Sequence, residues 1–134
     1  MEKPVWEWLE LYRYIVHRQS PMPGGRTPDL LGYSVDFDNF AVIELKMYKF
    51  TEALFQAKLY RQFCHFSYIA FPEDRAMSVS VKHQETLIEA GIGLLAVAPE
   101  SVRIVMPAAI NLKAEWKDLY IRFVKDIRRK IKRK

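Results

Sequence analysis

With 134 residues the chain is long enough for one compact domain with its own core and too short for two. Half the residues are hydrophobic and 13% are aromatic, which excludes disorder outside the ends, and no apolar run approaches the ~20 residues that span a bilayer. The net charge of +5 is unevenly placed: residues 122–134 carry eight Lys/Arg against Asp126, a net of +7, and the remainder carries −2. Such asymmetry suggests a polyanionic partner, with solubility as the alternative. Cys64 is the only cysteine, so no intrachain disulfide can form, and the first residues lack the basic and apolar parts of a signal peptide. Both features fit a cytoplasmic protein.

In chain order, residues 4–18 read as a helix. Pro4 suits a first helical position, and Val5, Trp6, Leu9, Tyr12 and Val16 recur at helical spacing. Trp8, Leu11, Tyr14 and Ile15 widen the apolar surface beyond one stripe, which predicts burial on more than one side. Glu7 and Glu10 share a face one turn apart. Residues 19–27 are dense in turn formers, with Gly24-Gly25 able to bring backbone close to a ligand and Arg26 just ahead of the next element.

Residues 28–46 read as two strands around a polar turn at Asp36-Phe37-Asp38-Asn39. On the second strand Phe40, Val42, Glu44 and Lys46 point to one face and Ala41, Ile43 and Leu45 to the other. A carboxylate and an ammonium thus leave an otherwise apolar strand side by side. A turn centred on Phe37-Asp38 puts Asp29 opposite Lys46 on the same face, and a one-residue slip would reverse that. Charges in so apolar a strand are paired or hold a metal. One lysine cannot neutralise Asp29 and Glu44 together, whereas a divalent cation with hard oxygen ligands can. A salt-bridged surface hairpin is the alternative.

Thr51 is placed to cap a helix over 52–64, on which Gln56 and Tyr60 are i, i+4 neighbours. A strand follows over 65–71, ending at Pro72, then a polar connection over 73–80 and a helix over 81–90 stopped by Gly91. Residues 93–98 read as a strand buried on both faces, 101–106 as an edge strand, and 111–131 as a final helix with a cationic outer face. This order predicts an α/β protein with a central mixed sheet of about five strands flanked by helices. His17, His65 and His83 are scattered, without HxxxH or CxxC, which argues against zinc. Neither a P-loop nor GxSxG is present. Tyr33, Tyr48 and Tyr60 lie near the hairpin and could stack on bases.

The pattern Pro28-Asp29 … Glu44-x-Lys46, on two short strands after a helix and a Gly-rich loop, resembles the PD-(D/E)XK, or restriction-endonuclease-like, nuclease superfamily. Gln56-x-x-x-Tyr60 just after it resembles the extra motif of the lambda-exonuclease and RecB-type branch, although the long first-motif context of those enzymes is absent. The resemblance implies an α/β/α nuclease core and a Mg²⁺-dependent deoxyribonuclease, with Mn²⁺ able to substitute, in DNA repair, recombination or defence. It implies that Asp29, Glu44, the carbonyl of Leu45 and an acidic first-helix residue (Glu7, with Glu10 next) hold the metal. Lys46 would act on the attacking water, and Gln56 and Tyr60 would orient the site. Arg26, Lys49, Lys58 and Arg61, and the tail cations Lys125, Arg128, Arg129, Lys132 and Arg133, are candidate phosphate contacts on DNA, with RNA left open. A homodimer is a further expectation, since so small a domain often needs a second copy to cut both strands. In this reading residues 1–134 form one nuclease-like domain ending in a basic helix over 111–134. A catalytically weak or inactive nucleic-acid-binding module on the same fold is the alternative. A tail lying on anionic lipid is a third reading.

The charge distribution gives a direct expectation. If about five tail cations each neutralise one phosphate, log K for DNA falls against log salt with a slope near −4.5. Replacing Arg128, Arg129, Lys132 and Arg133 by Gln should weaken binding and flatten that slope in a gel-shift titration. An unchanged affinity and slope would assign the tail to some other partner.

Overall fold

In the computed structural model, which describes residues 1–123, six strands form one sheet in the order β1-β2-β3-β4-β5-β6. The elements are α1 (Glu2–Leu11), β1 (Tyr14–Arg18), β2 (Leu30–Ser34), β3 (Asn39–Leu45), α2 (Phe50–Arg61), β4 (Phe66–Pro72), α3 (Glu73–Ala90), β5 (Gly93–Ala98) and β6 (Ser101–Met106). The sheet is mixed, with β3, β4 and β5 parallel and the other neighbours antiparallel. Helices α2 and α3 each make a crossover between adjacent parallel strands, and both lie on one face of the sheet. Against that face pack Phe40 and Val42 of β3, Ile69 and Phe71 of β4, and Leu94 and Ala96 of β5. Helix α1 covers the other face, where Val5 and Leu9 meet Leu30, Ile43, Ala70, Leu95 and Val97. The expected sheet flanked by helices is what forms, with six strands instead of five.

The sixth strand comes from the stretch read as the second half of the first helix. Helix α1 ends at Leu11, Arg13 turns the chain through a left-handed conformation (φ 66°), and Tyr14–Arg18 pairs antiparallel with β2. Tyr14 and Val16 point towards α1, while Ile15 and His17 point to the opposite face, against the cluster containing Phe123. The broad apolar surface was therefore strand alternation appended to a helix, and β-branched Ile15 and Val16 favour that outcome. Leu11 and Tyr12, counted as helix core, are 77% and 60% exposed.

Other boundaries shift for local reasons. Lys49, in a left-handed conformation, occupies the N-cap position of α2, and Thr51 lies inside that helix. Helix α3 takes in the connection over 73–80, because Ala76 and Val79 are buried at helical spacing. Its two halves join at a non-helical His83, whose ring stacks on Phe50 at 4.0 Å. Gly91 closes α3 with φ 71°, as expected of a C-terminal glycine. Residues 111–116 are not helical: the Asn111 amide donates to the Arg61 carbonyl at 2.7 Å and its backbone N–H to the His65 carbonyl at 2.8 Å. The last helix starts at 117, and Leu119 and Phe123 pack beside Tyr60 and Phe40. The cations Lys125, Arg128, Arg129, Lys132 and Arg133 lie outside the described residues. Among the described residues no helix is long and apolar enough to cross a membrane.

Candidate carboxylate site at the end of the hairpin

The hairpin places the site. Leu30 pairs with Ile43 and Ser34 with Asn39, a register that continues to Asp29 opposite Glu44. The turn is centred two residues' worth of pairing away from the expected one, between Asp36 and Phe37. A shift of two preserves the face, so Asp29 still stands on the side from which Glu44 and Lys46 project. That side faces α2, because Phe40 and Val42, which alternate in step with Glu44, pack with Tyr60.

The two carboxyl groups are tied together by backbone. The Asp29 N–H donates to Glu44 Oε1 at 3.3 Å, and the Leu45 N–H donates to Asp29 Oδ2 at 2.8 Å. An extended residue sends its N–H and C=O to the same edge, so the Leu45 carbonyl also leaves β3 on the Asp29 side. Glu44 is 4% exposed. Burial first, then the charge of Asp29 and a side-chain hydrogen bond to it, push the Glu44 pKa from 4.5 up to about 7. Lys46 opposes this only weakly, and the geometry shows why: its ammonium is held by Glu52 at 2.9 Å, in the first turn of α2. Contact with Lys46 in turn holds the Glu52 carboxyl below its usual value.

Helix α2 supplies the wall over the carboxylates. Tyr60 is 3% exposed, and its pKa is raised to about 12 by burial and then by the charges of Glu44 and Asp29, with Arg26 acting in the opposite sense. Those influences place its hydroxyl in the field of the carboxyl pair and, separately, in that of the Arg26 guanidinium. Gln56, one turn earlier on the same face, keeps a buried Oε1 with no hydrogen-bond partner. Arg26 lies with its guanidinium 5.3 Å from the centre of the Phe55 ring. It follows a turn in which Gly24 and Gly25 adopt φ of 91° and 85°, closed by the Met22 N–H donating to the Arg26 carbonyl at 2.7 Å. The two glycines thus serve the turn's own geometry.

The structure therefore brings together Asp29, Glu44, Leu45, Lys46, Gln56, Tyr60 and Arg26. Lys49 and Lys58 are exposed at the start and outer surface of α2. Glu7 and Glu10 are not part of this group. Both are exposed on α1, across the sheet from Glu44, and Glu7 pairs with Lys3 at 4.0 Å. Arg61 also departs from expectation: its guanidinium packs around Gly91 and donates to the Ala109 carbonyl at 3.4 Å, fastening the end of α2 to the 107–111 segment. Tyr33 is buried, leaving Tyr48, 69% exposed, as the expected stacking tyrosine still open to a ligand. Glu52 and Phe55 were not singled out from the sequence. The available signal was an acidic residue in the first turn of the helix after the Lys46 strand, a position that the strand–loop–helix connection carries back over the strand end.

Among the described residues no cluster of three or more His, Cys, Asp or Glu is arranged to hold a metal ion. The oxygen donors that are assembled nevertheless fit a hard divalent cation: two adjacent carboxyls, one of them with a pKa raised by burial and by the charge of the other, and a carbonyl on the same edge. The unmatched Gln56 Oε1 adds an acceptor on the helix face above them. A separate cavity of about 510 Å³, lined largely by aromatic residues such as Trp8, Tyr14, Phe66 and Tyr68, opens on the α1 face and shares no residue with this group.

Comparison with known proteins bears on the fold. No family model matches the sequence, and no curated protein matches it. Among solved structures, SPO1766, a protein of unknown function from Silicibacter pomeroyi, superposes with a TM-score of 0.70 at 20% identity, over 97% of this chain and 85% of that one. A repair endonuclease from Pyrococcus abyssi superposes with a TM-score of 0.52 at 19% identity, over 74% of this chain and 47% of that one. The chain shares its fold with a nuclease. It spans about half the endonuclease's length, and at these identities the likeness is one of fold alone.

The carboxyl pair has a consequence for stability. Glu44 binds its proton more tightly in the folded, metal-free chain than in the unfolded chain. That contribution is complete below about pH 4.5 and is lost as pH rises through about 7. Urea unfolding in chelator should show stability falling across that window by on the order of 3 kcal/mol. Glu44→Gln should remove the decline. Parallel profiles for the two proteins would contradict the assignment.

Proposed function

We propose that this chain is a metal-dependent deoxyribonuclease of the PD-(D/E)XK type, with Asp29, Glu44 and Lys46 as its catalytic centre. The observation that carries the reading is the Asp29–Glu44 pair, brought together by the β2–β3 register with Lys46 projecting from the same face two residues on. Fold-level likeness to a repair endonuclease supports it.

In this reading Asp29, Glu44 and the Leu45 carbonyl would hold Mg²⁺, for which Mn²⁺ could substitute. The bound ion would neutralise the carboxyl pair and polarise a scissile phosphate. Lys46 would position or deprotonate the attacking water and offset negative charge that develops on the phosphate. Its ammonium, held by Glu52 at 2.9 Å in the metal-free chain, would have to turn from that partner towards the bound phosphate. The Tyr60 hydroxyl and the Gln56 amide would orient the centre from the face of α2 above it. Arg26, Lys49 and Lys58 are the phosphate contacts supplied by the described residues, and Lys125, Arg128, Arg129, Lys132 and Arg133 add non-specific attraction. We place the whole chain, 1–134, in one nuclease domain of the cytoplasm that serves DNA repair, recombination or defence, with a second copy as the partner for cutting both strands.

A second reading, a nucleic-acid-binding module with little or no cleavage, is favoured by one observation. The first helix brings no third carboxylate to the pair, so the ligand set is smaller than the resemblance implies. Cleavage separates the two. A panel of branched, single-stranded and duplex DNAs with Mg²⁺, Mn²⁺ or chelator should show metal-dependent hydrolysis, abolished in Asp29→Ala and Glu44→Ala. Lys46→Ala should retain binding and lose roughly two to four decades in rate. Binding without hydrolysis on every substrate would establish the module, and a wild-type rate for Lys46→Ala would reduce that lysine to the ion-pair partner of Glu52.

A further inference from the structure

We infer that the Arg26–Phe55 pair is a stacking platform for an unpaired base, so that the carboxylate site takes single-stranded DNA; the choice of DNA as the polymer rests on the nuclease reading above. Phe55 is not needed by the core. The buried positions of α2 are Phe50, Ala53, Ala57 and Tyr60, while Phe55 is 56% exposed. On the helix it stands one turn from Glu52, which holds Lys46, so it lies on the side of α2 turned to the end of β3. Arg26 lies over its ring at 5.3 Å, and the same guanidinium acts on the Tyr60 hydroxyl beside Glu44 and Asp29.

The pair combines the two features that binding of a single strand requires, a π face for a base and a cation for the adjoining phosphate. It is also pre-formed. The Met22–Arg26 turn is closed by two backbone hydrogen bonds, and Met22, 2% exposed, anchors it in the core. Little ordering cost is left to oppose binding. Tyr48, 69% exposed between β3 and α2, supplies a second aromatic surface near the same strand end. Duplex DNA has little use for such a surface, because its bases present edges to the grooves and keep their faces stacked on one another.

The test measures binding without divalent ions, at physiological salt, to a short oligothymidylate and to a duplex of the same length. Phe55→Ala should weaken oligothymidylate binding roughly ten-fold, the scale of one lost base stack. Phe55→Leu, apolar but without a π face, should behave like Phe55→Ala, and Phe55→Tyr should restore affinity. Duplex binding should be the same in all four proteins. Wild-type affinity for oligothymidylate in both Phe55→Ala and Phe55→Leu would overturn the inference, as would equal losses on single strand and duplex. Because binding is read without metal, a chain that passes this test yet cleaves nothing sinks the nuclease reading alone. Cleavage with no dependence of binding on Phe55 sinks this inference alone.

Discussion

Two carboxyl groups held against each other at the end of a buried hairpin are the constraint from which the rest of the site follows. The β2–β3 register sets Asp29 opposite Glu44, and two backbone N–H groups fix the pair. Glu44 is almost fully buried, and burial beside the charge of Asp29 raises its pKa to about 7, so the metal-free pair disfavours a second negative charge. Lys46 stands close in sequence but is drawn aside by Glu52, which leaves the pair short of positive charge. A divalent ion, as proposed, would supply the missing positive charge.

The scaffold explains why the pair sits there. Two crossovers on one face lay α2 and α3 over the parallel strands, so the end of β3 emerges beneath α2. Tyr60 then closes the site from above, while the helix face carrying Glu52, Phe55 and Gln56 borders the opening. The loop before β2 supplies Arg26 through a turn that only its two glycines permit. Strand end, helix face and loop thus meet in one place, a common origin of binding sites on open sheets.

Much of this was legible in the sequence because the relevant signals are local. The alternation of Phe40, Val42, Glu44 and Lys46 fixed the face from which the charges leave, and the two-residue error in register did not matter, since parity survives it. The i, i+4 spacing of Gln56 and Tyr60 placed both on the helix face above the carboxylates. What failed needed tertiary information. Tyr14–Arg18 has apolar residues at positions that satisfy a helical stripe and a strand alternation alike, and pairing with β2 decided between them. Glu7 shares α1 with core residues, yet which side of the sheet α1 covers is not a local property. Arg61 looked like any surface cation until the 107–111 segment folded against it.

The central claim is that Asp29 and Glu44 share a divalent cation in place of a proton. Calorimetric titration of Mn²⁺ at pH 6, in buffers of different ionisation enthalpy, tests it most directly. Glu44 carries its proton there, with a pKa of about 7, so binding should release close to one proton, and the release should vanish above about pH 8. Binding at pH 6 with no proton released, or no binding at any pH, would contradict the account.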